Sequence, residues 1–179
     1  MELFYQALSD EEAKVQCNAA YAAGLLVEHS QKDLSPHYPR LLSALRPLSE
    51  VPPDATILDW TAHDNAVGAV SRFSVRNSAA VPLDHVLPVL VNTLPLRHDL
   101  FENPPAFKAI FHLFDTNPQA LHPYLDKLLE VFRDVVEPSE LDLINDDIRT
   151  ELIELIGTLN QEAPEKVQAA GLGPFVPGE

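Results

Sequence analysis

An all-α fold of stacked helix pairs is predicted by three observations. Apolar residues recur at steps of three and four, glycine is scarce, and proline falls between the periodic blocks. The chain has 179 residues and only 6 glycines, too few for the tight turns of a sheet-rich protein. Most of its 16 prolines separate apolar blocks, where a ring that fixes φ and lacks an N–H ends a helix. Within one block, Leu141, Ile144, Ile148, Leu152, Leu155 and Leu159 follow one face of a 3.6-residue period. No stretch sustains the apolar–polar alternation of a strand.

The elements follow in order. Residues 2–8 (ELFYQAL) read as the tail of a helix that starts further upstream. A long helix is expected over 10–30. The segment HYPRLLSALRPL then supplies Leu41, Leu42, Leu45 and Leu48 after Pro39. A second long helix is expected over 57–76. HVLPVLVNTLPL follows, with Val86, Leu87, Leu90, Val91 and Leu94 around Pro88. A helix over 105–116 comes next, because Pro104 and Pro105 suit a helix start and not an interior. LHPYLDKLLEVF places Leu121, Leu125, Leu128, Phe132 and Val135 on one face. The last helix is expected over 141–161, and the Gly/Pro-rich end, 173–179, is expected to fray.

The proline-led segments recur: Pro39, Pro88 and Pro123 lie 49 and 35 residues apart, each followed by a second helix. A two-helix unit of about 40 residues is the signature of HEAT or armadillo repeats. The expected architecture is therefore an α-α superhelix, a HEAT-repeat solenoid of about three and a half to four helix pairs. Its units are 1–31, 35–78, 82–117 and 120–161, within a repeat region of 1–172. Nothing before Glu2 supplies a polar cap, so a fragment of a longer solenoid is expected. Gly24, Gly68 and Gly157 fall inside second helices. Interior glycine costs about 1 kcal/mol against alanine, which points to close helix–helix approach at these positions.

Composition bounds the function. Lys and Arg number 12 against 27 Asp and Glu, a net charge of −15. That balance argues against nucleic acid and anionic membranes as direct partners and favours a basic one. The single cysteine, Cys17, excludes a disulfide framework and a Cys-rich zinc site, and reads as a buried thiol. The start lacks a signal-peptide pattern, and the most apolar stretch, 83–96, is interrupted by Asp84, His85 and prolines. A reducing compartment, cytosol or nucleus, is expected, with no membrane insertion. Hydrolase, phosphate-loop, dinucleotide and HExxH patterns are all missing. The seven histidines are scattered, and His37 and His122 occupy matching helix starts. No catalytic residue, metal or cofactor is expected, and the chain reads as a non-enzyme.

Two constellations point to binding. Residues 126–165 hold 12 Asp and Glu against Lys127, Arg133 and Arg149, a net charge of −9. An asparagine recurs near the start of each second helix: Asn18, Asn65, Asn103 and Asn145, 47, 38 and 42 residues apart. Acids accompany them: Asp64, Glu102, Asp146 and Asp147. On stacked helices these would line one surface, the amides holding an extended peptide's main chain and the carboxylates its lysines. Trp60 would cover a lysine stem. The alternatives at each position are a helix cap, a solvated face or, for Trp60, a core residue.

Particular runs carry a family resemblance. CNAAYAAGLLVEHS with PHYPRLLSALRPL, DNAVGAVSRF, and VPLDHVLPVLVNTLPLRHDLFENPPAFKAIFHLF resemble the C-terminal HEAT repeats of the importin-β (karyopherin-β) nuclear transport receptors. The importin four subgroup and its fungal counterparts are most similar, over about residues 11–172. The resemblance implies carriage of basic cargo (import-signal peptides, histones or ribosomal proteins) between cytoplasm and nucleus. It implies cargo release by Ran-GTP bound to N-terminal repeats that this chain lacks, and a monomeric fragment. It places Asn65 on a concave second helix and matches Glu102 to one of two adjacent acids. Phe101 replaces the first of that pair, and Asn103 with Pro104 and Pro105 replaces an aromatic and its followers. A purely structural end segment and a HEAT scaffold of another class, such as a phosphatase regulatory subunit or assembly platform, are the other readings.

Overall fold

A computed structural model describes residues 1–138 and 142–178. Those residues form helices α1 (Glu2–Leu8), α2 (Ala13–His29), α3 (Tyr38–Leu45), α4 (Ile57–Asn77) and α5 (Leu83–Thr93). There follow α6 (Asn103–Thr116), α7 (Pro118–Leu121), α8 (Leu125–Val136), α9 (Asp146–Glu162) and α10 (Pro164–Ala169), with short 3-10 turns between them. No strand occurs among the described residues. The second helices α2, α4, α6 and α9 pack one on the next as an inner row. Helix α1 and the proline-led helices α3, α5 and α8 lie against them in a second row. This is the layered helix-pair arrangement of a HEAT-like solenoid.

Local chemistry sets the boundaries. α2 starts three residues later than the periodicity suggests, because the Asp10 carboxylate accepts the Glu12 amide in a tight turn. α4 opens on a capping box: Thr56 accepts from the Asp59 amide, and the Asp59 side chain accepts from the Thr56 amide. Pro104 and Pro105 sit in the first turn of α6. α9 begins at Asp146 and not near 141, because the Asn145 side chain caps the Ile148 amide at 3.0 Å. Ser139, Glu140, Leu141 and Glu179 lie outside the described residues. Pro88 lies within α5 and does not end it, so one hydrogen bond of that helix is missing.

Two apolar cores fill the space between the rows. One gathers Tyr38, Leu41, Leu45, Phe73 and the alanines of α2 and α4. The larger one runs from Leu87 and Phe107 through Phe132 to Ile156, Val167 and Leu172. Part of the segment expected to fray is packed: Gly173–Phe175 forms a 3-10 turn, and Phe175 and Val176 rest on the larger core. Within the second row, a cleft of about 580 Å³ opens between α3 and α5 over Val67 and Val70 of α4.

Interior glycines mark close approaches. A Cβ on Gly24 would lie 2.9 Å from the Ala69 Cα, so α2 and α4 meet nearly backbone to backbone. A Cβ on Gly68 would overlap the Glu102 carboxylate, whose carbon would be 2.5 Å away.

Candidate functional site

The middle of α4 carries the densest polar cluster. Asp64 is buried, yet its carboxylate is fully engaged. Oδ2 accepts the amides of His98 and Asp99 at 2.8 and 2.9 Å, and Oδ1 lies 3.0 Å from His63 Nδ1. Desolvation works against the charge, but the His63 contact and the two amides outweigh it, so the Asp64 pKa falls below 3.8. Trp60, one turn earlier, is half exposed, stacks on the His98 ring at 5.2 Å and meets His63 edge-on at 5.6 Å. The cluster thus fastens the loop before α6 to the face of α4.

Asn65 turns the other way, into α2. Its Nδ2 donates to the Cys17 carbonyl at 3.3 Å and lies 3.2 Å from Cys17 Sγ. Its Oδ1 is buried without a partner among the described residues. Burial pushes the Cys17 thiol pKa up, and the Asn65 contact offsets this only in part. This is the inert, buried thiol that the sequence suggests.

Two turns along α4, Arg72 reaches both neighbouring layers. Its Nε donates to Glu28 Oε2 of α2 at 2.9 Å. Its Nη1 and Nη2 donate to Glu102 at 2.5 and 3.2 Å. Glu102 is 0% exposed and lies over Gly68, where a side chain is missing. Burial raises the Glu102 pKa above 4.5, and Arg72 pulls it back only in part. Desolvation also opposes the Arg72 charge, but its two carboxylates outweigh it, and Arg72 stays protonated.

These positions correct the groove expectation. Asp64, Asn65, Glu102 and Asn103 are all buried and satisfy internal partners. Glu102 holds Arg72 in place of a cargo lysine. Asn103 clamps its own loop: Oδ1 accepts the Leu96 amide at 2.8 Å and Nδ2 donates to the Leu96 carbonyl at 2.9 Å. The four asparagines are not equivalent either. Asn18 and Asn65 lie well inside their helices, Asn103 is the first residue of α6, and Asn145 caps α9. Their even spacing reflects helix starts that slide relative to the repeat. Asn18, Asn145, Asp146 and Asp147 are exposed, and Trp60 is partly so.

What remains at the surface is acidic. On α9, Asp147, Glu151 and Glu154 step by four and three along one exposed face, with Asp146 beside the cap. Asp126, Glu130, Asp134 and Glu137 are exposed on and after α8. Beneath them, Arg149 is buried and donates to the Val135, Val136 and Ile144 carbonyls and to Asp142. It thereby caps the end of α8.

Arg72, Glu28, His63, His98 and Arg149 escaped the sequence reading. A signal existed for both arginines. Arg72 interrupts the buried apolar face Ala62, Ala66, Ala69, Phe73, and Arg149 stands between Ile148 and Leu152. A charge at a core register announces a buried partner. Among the described residues no cluster of His, Cys, Asp and Glu could hold a metal ion, and no helix is long and apolar enough to cross a membrane.

Comparison with known proteins adds what the geometry does not. No family model matches the sequence. The chain is 38% identical over 154 residues to the probable importin subunit beta-4 of Schizosaccharomyces pombe, covering 86% of this chain and 14% of that protein. It is 26% identical over 161 residues to human importin-4, covering 90% of this chain and 14% of that protein. It is 29% identical over 126 residues to mouse importin-4, covering 68% and 11%. The chain therefore spans 14% or less of the length of the curated relatives it matches.

Proposed function

We infer that this chain, whose homologues are importin-β family members, is a HEAT-repeat segment of a nuclear import receptor. The observation that carries this reading is the 38% identity to the fission-yeast importin subunit over 86% of the chain. A receptor segment needs no catalytic chemistry, in keeping with relatives that are transport proteins and not enzymes. Such a receptor shuttles between cytoplasm and nucleus, and contact with Ran-GTP belongs to other repeats.

The segment's own part is recognition of a basic cargo by its exposed acids. The Asp147, Glu151 and Glu154 face of α9 supports this, with Asp146 and Asn145 at its head. Exposed pairs contribute under about 1 kcal/mol each, so several must act together. Their joint field draws in a lysine-rich segment and sets its association rate. Asn18 and half-exposed Trp60 offer further contacts on the α2 and α4 surface. Replacing Asp147, Glu151 and Glu154 by lysine tests the assignment. Loss of binding to a lysine-rich peptide is expected. Unchanged affinity would move the cargo surface elsewhere and leave this segment a structural one.

A further inference from the structure

The inner row is joined by different forces on the two sides of α6. From α2 to α6 the apolar packing is reinforced by polar, directional joints. Arg72 ties Glu28 of α2 to Glu102, just ahead of α6. Asp64 holds the His98 and Asp99 amides of the same loop. Gly24 and Ala69 bring the α2 and α4 backbones together. Charged hydrogen bonds inside a protein fix both distance and angle, and a buried ion left without its partner is strongly disfavoured.

Between α6 and α9 the joint is apolar. Phe107, Ile110 and Leu113 of α6 share one core with Ile148, Leu152 and Ile156 of α9. The side-chain hydrogen bonds of these two helices, among the described residues, run elsewhere than across the joint. Thr116 turns back to His112, Thr150 to Asp146 and Thr158 to Glu154, while Arg149 caps α8. Apolar contact is non-directional, and helices packed through it can shear past each other by small steps.

We propose that the Arg72 cluster locks α2, α4 and the start of α6 into one rigid block, and that the solenoid flexes at the α6–α9 junction. Bending there swings the acidic face of α9 against a fixed platform. The device rests on packing alone and holds whatever the segment binds.

Electron–electron distance measurements on the intact chain test it. Spin labels go on Lys14 of α2 with Lys108 of α6, and on Lys108 with Thr150 of α9, all exposed, in a Cys17→Ala background. The second pair should give a distribution roughly twofold wider than the first, as expected for a sliding joint beside a fixed one. Glu102→Gln should widen the Lys14–Lys108 distribution and leave the Lys108–Thr150 one unchanged. Equal widths in the parent chain, or no effect of Glu102→Gln at native helix content, would overturn the proposal. Should Glu102→Gln lose helix content, the comparison of the two parent widths decides alone.

Discussion

Gly68→Ala should destabilise the protein, although the change favours a helix. In an unobstructed helix interior, alanine gains about 1 kcal/mol over glycine. At Gly68 the new methyl would overlap the Glu102 carboxylate, with the Arg72 Nη1 at 3.0 Å behind it. Glu102 has no exposed surface to swing into, so its carboxylate must leave Arg72. Breaking a buried ion pair by removing one partner costs about 3–5 kcal/mol. Offsetting the helix gain leaves a net loss of about 2–4 kcal/mol. For a chain of this length that is a fall in Tm of roughly 5–15 °C. Urea denaturation followed by circular dichroism reads it. The cycle is completed by Glu102→Ala, in whose background the methyl meets no carboxylate. There Gly68→Ala should stabilise by about 1 kcal/mol, a reversal of sign. A Gly68→Ala protein as stable as the parent, or one whose loss persists in the Glu102→Ala background, would refute the reasoning.

Other outcomes follow from the same contacts. Asn103→Ala strips the Leu96 amide and carbonyl of their buried partners and should cost about 2–4 kcal/mol in denaturation. Asn18→Ala, on the exposed face of α2, should stay within about 0.5 kcal/mol. Asp64 and Glu102 should respond to pH in opposite senses. The lowered pKa of Asp64 gives stability that is present above 3.8 and lost as pH falls through its folded value. The raised pKa of Glu102 gives stability that is full below 4.5 and lost as pH rises through its folded value. Asp64→Asn should therefore flatten the acid limb of stability against pH, and Glu102→Gln should flatten the fall just above 4.5. Urea midpoints across the acid range measure both.

The fold was legible because periodicity and proline placement act locally. Leu152, Leu155 and Leu159 mark α9 whatever it packs against, and Pro104 with Pro105 marks the start of α6. Boundaries moved where a side chain bonded its own backbone, as Asp10 and Asn145 do. Which candidate residues reach the surface was legible only in part. Asn145, Asp146 and Asp147 are exposed at the start of α9, a boundary that apolar periodicity alone placed about five residues too early. Asn65 and Glu102 were misplaced because their partners, Cys17 and Arg72, are set by stacking, and Asn103 because its own loop folds back onto it through Leu96. For Asn65 and Glu102 the partner lies 48 and 30 residues away. Glu102 and Asp147 look alike as letters. One faces a buried arginine and the other faces water, and only the inter-repeat geometry separates them.

The central claim is that the exposed acids of this segment recognise a basic cargo. Calorimetric titration of the chain with a lysine-rich import-signal or histone-tail peptide, at low salt and at about 0.15 M where screening acts within about 8 Å, tests it most directly. The account predicts binding at low salt that weakens several-fold at the higher salt. No binding at low salt, or an affinity that salt leaves unchanged, would contradict it.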